Sequence, residues 1–232
     1  MWKPVLLVTT IGVSACAPPG YTPAARMITL ETATAPAPGQ TDVQLDLAGA
    51  SAVFGPDIIN ADARVRHGVE RWLAVDGEVG IIHADEDTQG YDPNALTGRV
   101  GVHIHAPEPD AVRVALIAGL GGGRSSAAGG WVSGDLGGVV MTNTAFVRPF
   151  LGADLFTNHP IDPPMVGYQT DDGPASFRLH DTYGYRGTAG VELGPDDEAL
   201  IIACSLADAY RDDGYDEGFF SVGLGVRWRP GK

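Results

Sequence analysis

Apolar and polar side chains alternate along most of this 232-residue chain, from Thr41 to its C-terminal residues. The segment FFSVGLGVRWRP (219–230) shows the pattern, with Phe, Val, Leu, Val and Trp at every second position and Ser, Gly and Arg between them. Because successive side chains of a β-strand point to opposite faces, this period predicts strands with one apolar and one polar face. No long segment has helical spacing, so we expect an all-β protein.

Ten segments carry this pattern, and turn residues separate them. The predicted strands are 42–54, 60–69, 73–84, 97–106, 111–120, 130–141, 145–156, 176–193, 199–210 and 219–230. Strands at such regular spacing indicate an antiparallel meander that closes as a barrel or folds as a sandwich. We predict an up-and-down β-barrel of about eight to ten strands, formed by residues 41–232.

The connections between the predicted strands give a second signal. Those after the second, fourth, sixth and eighth strands are short, whereas the connections 85–94, 121–129, 157–175 and 211–218 are longer. Transmembrane barrels of the bacterial outer membrane have this asymmetry, with short periplasmic turns and longer external loops. An even strand number places both ends of the barrel sequence at the end with short turns, which predicts a periplasmic N-terminus.

The N-terminal residues differ from the rest of the chain. Residues 1–15 read as a signal peptide, in which one lysine precedes an apolar stretch. This stretch ends in Val-Ser-Ala-Cys, which resembles the lipobox of bacterial lipoproteins and implies lipid attachment at Cys16. An ordinary signal peptide cut near Ala15, or at Ala17, is the alternative. Residues 16–40, rich in Ala, Pro and Thr, are predicted to be a flexible tether between the lipid and the barrel.

The composition of the chain limits the classes of molecule that it could bind. The net charge of −14 argues against nucleic acid, because phosphate binding needs clustered Lys and Arg. No run of 18 apolar residues occurs, so no transmembrane helix is predicted. A transmembrane β-strand needs only about 9–11 alternating residues, and the predicted strands are long enough for that.

The polar face of the predicted strands holds charges of both signs and no lysine. Arginine forms paired hydrogen bonds with carboxylates and suits buried ion pairs better than lysine does. We therefore predict that this face lines a narrow lumen filled by a network of ion pairs. The predicted network is Arg64, Arg66, Asp76, Glu78, Arg99, His103, His105, Arg113, Arg178, His180, Arg186, Glu192, Arg227 and Arg229, and Asp46 shares the same face.

The opposite face is made of Val, Leu, Ile and Ala and would meet lipid. Aromatic residues of this phase lie near strand ends, as in the interfacial girdles of membrane barrels: Phe54, Trp72, Phe156, Phe177, Phe220 and Trp228. Three charged residues, Arg148, Asp154 and Asp208, share a phase with apolar neighbours. They would have to lie beyond the membrane or beside a β-bulge.

On these features residues 42–232 resemble the outer-membrane β-barrel proteins of bacteria. The resemblance is one of architecture. The closing strand is similar to the amphipathic last strand that the barrel-assembly machinery recognises, although Arg-Pro-Gly-Lys follows its terminal Trp228. The resemblance implies outer-membrane lipid and the assembly machinery as partners.

Residues that could carry chemistry are few. His103 and His105 share a strand face about 7 Å apart, but no third metal ligand follows from the spacing, so we predict a hydrogen-bonded pair and no metal. Some ten-stranded outer-membrane proteases use Asp and His at the external rim, whereas His180 and Asp181 here point to opposite faces. The acidic loops match no Ca²⁺-binding signature and read as a solvated rim. No cofactor is predicted.

The sequence thus predicts a lipid-anchored outer-membrane β-barrel with a structural or surface-interaction role, too narrow for a general porin. Two alternatives remain open. The first is a soluble periplasmic lipoprotein whose lipocalin-like barrel or sandwich binds an apolar ligand. The second is an outer-membrane hydrolase with a rim active site.

Overall fold

The computed structural model describes Arg26 and residues 29–52, 57–85, 94–107, 111–125, 129–170, 173–214 and 216–230. Its strands are β1 (Thr41–Ala52), β2 (Asp57–Glu70), β3 (Leu73–Asp85), β4 (Ala95–His105), β5 (Val112–Ser125), β6 (Gly129–Thr142), β7 (Val147–Ile161), β8 (Val166–Thr170), β9 (Gly173–Phe177), β10 (Thr182–Leu193), β11 (Glu198–Arg211) and β12 (Asp216–Trp228). None of these residues belongs to a helix that could cross a membrane.

Ten of the strands close into an antiparallel barrel. The strands β1 to β7 pair in sequence order, β7 pairs with β10, β10 with β11, β11 with β12, and β12 pairs back with β1. The closing seam runs from Val43 opposite Trp228 to Ala52 opposite Phe219. The predicted ten-stranded up-and-down barrel is confirmed, and the sandwich is excluded.

One predicted strand and one predicted loop need correction. The eighth predicted strand, 176–193, enters the barrel only at Thr182. The preceding region was expected to be a loop from 157 to 175, but β7 continues to Ile161, and β8 and β9 form a separate two-stranded hairpin. The Pro and Asp residues of this stretch concealed the strands, since both residue types are rare in strand interiors.

The two ends of the barrel differ less than the sequence suggested. One end, here called the short-turn end, carries the connections 71–72, 106–111, 143–146 and 194–197. The opposite, long-loop end was expected to carry a loop at 121–129, but β5 extends to Ser125 and β6 begins at Gly129. The longest connections at that end are 86–94 and 162–181, the latter containing the β8–β9 hairpin.

The outer face of the wall is apolar and the inner face is largely polar. Leu120 and Leu151 point outward and are 70% and 67% exposed, whereas Arg64 and Arg227 point inward and are 2% exposed. A soluble barrel of this size would need the opposite arrangement, because its apolar face must leave water. The lipocalin-like alternative, with an apolar interior, is therefore wrong for the described wall.

The N-terminal segment passes into the lumen. Arg26 and residues 29–40 are here called the inner segment. Its residues up to Pro36 lie inside the barrel, where Leu30 and Thr34 are 0% exposed, and residues 37–39 are exposed at the short-turn end. The flexible tether predicted for residues 16–40 is therefore wrong for the part of it that the structure describes. The sequence could not show this, because the segment has no periodicity and its partners are distant in the chain.

A glycine of β2 lets the inner segment enter at the short-turn end. The amide of Gly39 donates to the carbonyl oxygen of Gly68 at 2.8 Å, and the amide of Gly68 donates to the carbonyl oxygen of Gln40 at 3.0 Å. A Cβ atom at Gly68 would lie 2.4 Å from the carbonyl oxygen of Pro36. Only glycine allows this close approach of two backbones.

Apolar clusters lie inside the barrel near each end. At the short-turn end, Leu30 and Ala33 of the inner segment are buried with residues of the wall, among them Ile117, Met141 and Phe150. At the long-loop end, Trp131 is buried in a second cluster with Ile82, Ala95, Val166 and Leu179.

Substituting an inward glycine tests how closely the lumen is packed. A Cβ atom at Gly119 would lie 2.2 Å from Cζ of Arg99, so we expect Gly119→Val to displace this arginine and destabilise the barrel by about 1–3 kcal/mol. Gly187 is the matched control, because a Cβ atom at this position of the outer face would have no other atom within 4 Å. Urea unfolding in lipid vesicles would measure both. Equal stability of the two variants would contradict the close packing of the lumen.

Candidate functional site

The lumen is organised around two charged side chains of the inner segment. Arg26 donates from Nε to Oε1 of Glu78 at 3.0 Å and from Nη2 to Oε2 at 2.5 Å. Glu31 forms ion pairs with Arg26, Arg66 and, at 3.2 Å, with Arg64. Removing a carboxylate from water is costly, and the three guanidinium groups around Glu31 offset that cost by direct pairing.

The wall extends this group of charges around the lumen. Arg64 of β2 reaches Glu78 of β3 at 2.7 Å and Asp46 of β1 at 3.0 Å. Arg99 of β4 reaches Asp135 of β6 at 2.6 Å and Asp76 of β3 at 3.4 Å. Since each bond joins different strands, the network ties the inner segment to one side of the barrel.

A second group of charges lies nearer the short-turn end. Glu192 accepts from Nε of Arg148 at 2.8 Å and from Nη2 of Arg227 at 2.8 Å. The same carboxylate accepts from the hydroxyl of Thr34 at 2.9 Å, and Arg227 donates to the hydroxyl of Thr32 at 3.0 Å. One buried carboxylate thus connects two strands of the wall with the inner segment.

A third ion pair corrects the predicted faces of β7. Asp154 accepts from Arg186 at 2.8 Å, and Arg148 pairs with Glu192, so both β7 residues point inward rather than beyond the membrane. Phe156 is also inward, with the guanidinium of Arg186 5.8 Å from its ring centre, and was wrongly assigned to the lipid face. Sequence reasoning assumed that aromatic residues mark the outside. Asp208 is on the outer face, where its carboxylate accepts from the hydroxyl of Tyr185.

Most residues of the predicted network lie on the inner wall or at its short-turn mouth. The inward set is Asp46, Arg64, Arg66, Asp76, Glu78, Arg99, His103, His105, Arg186, Glu192 and Arg227. Arg113 and Arg229 lie at the mouth, where Arg113 pairs with Asp196 at 3.0 Å and Arg229 pairs with Asp42 at 2.6 Å. Arg178 and His180 were predicted wrongly: both precede β10, Arg178 is exposed, and His180 is at the opposite rim.

Of the predicted outer aromatics, Trp72 and Phe220 are exposed, at 53% and 46%, and Trp228 is half-buried. Phe54 and the side chain of Phe177 lie outside the described residues, as do Cys16 and the predicted signal peptide. Among network residues, sequence reasoning missed Asp135, Arg148 and Asp154 of the wall. It also missed the two charges of the inner segment, Arg26 and Glu31. They are the only charges between residues 17 and 40, which is the one signal that could have singled them out.

The lumen does not suit a metal ion. Ligand atoms of Glu31, Asp76 and His103 lie within 4.8 Å of one another. However, Glu31 already pairs with arginines, and Asp76 lies 3.4 Å from Nη1 of Arg99 and 3.6 Å from Nη2 of Arg26. A divalent cation there would be held beside several guanidinium groups. The rings of His103 and His105 stack at 6.1 Å and act as part of the packing.

A second set of titratable groups lies at the long-loop rim. His159 pairs with Asp181 at 2.7 Å, and His180 pairs with Asp212 at 3.0 Å. The amide of Asp212 donates to the carbonyl oxygen of Asp181 at 3.2 Å, which brings the two pairs together. His159, Asp181, His180 and Asp212 are here called the rim cluster. Its side chains are accessible to water, unlike those of the lumen.

Comparison with solved structures places this architecture among known barrels. LpxR from Salmonella typhimurium is similar over 79% of this chain and 99% of its own, with 8% identity and a TM-score of 0.50. The fold is that of an outer-membrane β-barrel. The N-terminal β-barrel domain of Pseudomonas aeruginosa OprF (11% identity, 82% of this chain, 99% of that chain, TM-score 0.38) also matches. So does Neisserial surface protein A (11% identity, 82% and 95%, TM-score 0.38).

At such identities the likeness concerns the fold alone. No protein-family model and no curated protein sequence matches this chain. Any inference about function therefore has to come from the side chains of the wall, the lumen and the rim.

Proposed function

We propose that this protein is a lipid-anchored outer-membrane β-barrel with a structural or surface-interaction role. The observation that supports this best is the reversal of the usual burial pattern, with leucines more than half exposed outside and arginines buried inside. Acyl chains would cover the apolar belt and thereby remove it from water.

The filled lumen supports a role other than that of a general porin. The inner segment, together with the ion pairs around Glu78 and Glu192, occupies the passage from the short-turn end to the middle of the barrel. A ten-stranded barrel is narrow, and its interior is generally filled by side chains. Interaction with the surroundings would then take place at the rim rather than through a channel.

Lipid attachment at Cys16 is the finer part of the proposal. Its support is the Val-Ser-Ala-Cys sequence that follows an apolar stretch. Growth with radiolabelled palmitate should label the wild-type protein, and Cys16→Ser should lose the label while keeping the folded barrel. A wild-type protein without label would overturn the anchor and leave the barrel assignment intact.

Outer-membrane lipid and the barrel-assembly machinery are the proposed partners. Lipid would contact the belt, and the machinery would recognise β12, whose outward residues Val222, Leu224 and Val226 are each more than 40% exposed. The alternation of these residues with inward Arg227 supports such recognition.

A charge on the outer face would test insertion into a membrane. Leu136 lies in the middle of β6 and is 60% exposed. In a bilayer, we expect Leu136→Arg to destabilise the barrel by about 2–4 kcal/mol, because the charge would sit in hydrocarbon. The control is Ile161→Arg, 53% exposed at the end of β7, where an interfacial charge costs about 0–1 kcal/mol. Unfolding in vesicles would measure the difference, and equal effects would contradict insertion.

The rim cluster supports a second candidate function, a hydrolase acting at the long-loop rim. His180 is oriented by Asp212 at 3.0 Å, as a general base is by a carboxylate. Hydrolysis of peptide or lipid substrates that is abolished by His180→Ala and unchanged by His67→Ala would establish it. Activity that survives His180→Ala would exclude this group as the base.

A further inference from the structure

One carboxylate on the outer face of the wall is only partly satisfied by the described residues. Asp208 of β11 accepts the hydroxyl of Tyr185 at Oδ2. Its Oδ1 lies over Gly218 of β12, 3.3 Å from the position that a Cβ atom of this glycine would take. Within the part of the chain that the structure describes, Asp208 forms no ion pair, and the neighbouring Arg211 is paired with Asp213. A carboxylate that faces a membrane is costly without a partner, so we expect a partner from outside the chain.

Asp208 lies near the edge of the apolar belt. It precedes Arg211, the last residue of β11 at the long-loop end, by three residues, which is about 10 Å along the strand. The ring of Tyr210 stacks on that of Tyr183 at 5.7 Å and lies 6.2 Å from that of Tyr185. Tyrosines with this placement mark the membrane–water interface of transmembrane barrels. The polar head of a lipid therefore reaches Asp208 while its acyl chains lie toward the short-turn end.

An apolar groove of the outer face begins beside this carboxylate, on the side of the short-turn end. It has a volume of about 400 Å³ and is bordered by Leu136, Leu155 and Leu206, which are 60%, 61% and 67% exposed. Gly187 lies on its floor opposite Leu206, and Leu206 precedes Asp208 by two residues. A Cβ atom at Gly187 would have no other atom within 4 Å. The groove is therefore open and offers apolar contacts to a hydrocarbon chain.

A second, larger groove lies on the other side of the same two leucines. Leu136 and Leu155 are paired across β6 and β7, and they line both grooves. The second groove has a volume of about 920 Å³ and is also lined by Val100, Leu120 and Gly134. The two leucines thus form a ridge between the grooves. This shape suits a lipid with two acyl chains, one on each side of the ridge.

We propose that this surface binds one phospholipid whose head carries a primary ammonium group, with its acyl chains in the two grooves and the ammonium group donating to Asp208. A carboxylate only accepts hydrogen bonds, and a primary ammonium group supplies both a donor and a positive charge. A quaternary ammonium head has the charge without the donor, and a glycerol head has donors without the charge. Asp212 and Asp213, exposed at the rim nearby, oppose a head that is anionic overall. The inference rests on the proposed membrane insertion and names the lipid class for one part of the belt.

Native mass spectrometry of the full-length protein, released from detergent micelles, tests the inference. Phosphatidylethanolamine, phosphatidylcholine and phosphatidylglycerol with the same acyl chains are added in equal amounts. We expect the protein to retain phosphatidylethanolamine about tenfold more than either of the others, because only this lipid makes a charge-assisted hydrogen bond to the carboxylate. Equal retention of all three lipids by the folded wild-type protein would overturn the inference.

A substitution of the carboxylate tests the role of Asp208. Asp208→Asn keeps the shape of the side chain and removes its charge, so retention of phosphatidylethanolamine should fall to that of phosphatidylcholine. The matched control, Glu198→Gln, changes an exposed carboxylate at the short-turn end and should leave the preference unchanged. A preference for phosphatidylethanolamine that survives Asp208→Asn would contradict the proposed contact.

The groove is tested separately by Gly187→Leu, whose side chain enters open space and should leave the barrel folded. This variant should lose the preferential retention of phosphatidylethanolamine, and unchanged retention would overturn the proposed position of the acyl chains. Membrane insertion is measured independently by Leu136→Arg and Ile161→Arg. Unequal effects of these two variants together with no lipid preference would remove this inference and leave the proposed barrel standing, whereas equal effects would remove both.

Discussion

In planar lipid bilayers the wild-type protein will pass no measurable ion current, whereas the double variant Arg26→Ala/Glu31→Ala will show channel openings. The two side chains are the only charges of the inner segment, and both are buried in ion pairs with the wall. Hydrogen bonds to charged groups contribute about 1.5–3 kcal/mol each, so the double variant loses the strongest bonds between the segment and the wall. Glu78 and Arg64 would then face water.

The control for this experiment removes an exposed charge. Glu70 lies at the end of β2 beside the turn and is exposed, so Glu70→Ala should stay closed. Circular dichroism should show the same β-content in all three proteins. An open wild-type channel, or a double variant that stays closed although its barrel is folded, would show that the inner segment is not the plug.

Replacing Glu192 by leucine should destabilise the barrel more than Gly119→Val or Leu136→Arg does. The Glu192 carboxylate is fully buried and is shared by Arg148, Arg227 and Thr34. Removing one partner of a buried ion pair costs about 3–5 kcal/mol, because the remaining charge keeps its desolvation penalty. Two guanidinium groups would lose their common partner, so we expect at least this loss in urea unfolding.

Two further variants serve as controls: one keeps the carboxylate at position 192, and the other removes an exposed carboxylate elsewhere. Glu192→Asp keeps the carboxylate and should lose less stability than Glu192→Leu. Glu198→Leu changes an exposed carboxylate at the same end of the barrel and should be nearly neutral. A Glu192→Leu protein as stable as the Glu198→Leu protein would contradict the shared-acceptor arrangement.

The strands and most of their faces could be predicted from the sequence. Side chains of a barrel wall alternate between the lumen and the outside at every second residue, and the apolar and polar residues of the sequence alternate with the same period. The alternation of β4 is complete, with Arg99, His103 and His105 inward and Val100 and Ile104 outward. In β7 the inward face mixes Arg148 and Asp154 with aromatic residues, so the chemical contrast between faces is lost. Hydropathy then assigns the wrong side.

The inner segment could not be predicted in the same way. Its position depends on contacts such as Thr32 with Arg227, which join opposite ends of the chain and leave no local signal. Its two charges could be recognised as unusual among Ala, Pro and Thr, but their partners could not be identified. The rim cluster was anticipated only at His180 and Asp181, and the structure joins His180 instead to Asp212.

The location of the inner segment constrains the order in which the parts of the barrel fold. The seam between β1 and β12 is the last join of the wall, and the segment it encloses bonds across a sequence separation of 195 residues. Contacts so distant along the chain form late in folding. We therefore expect the inner segment to be in place within the open sheet before β12 pairs with β1. If the seam between β1 and β12 closed first, the inner segment would remain outside the barrel.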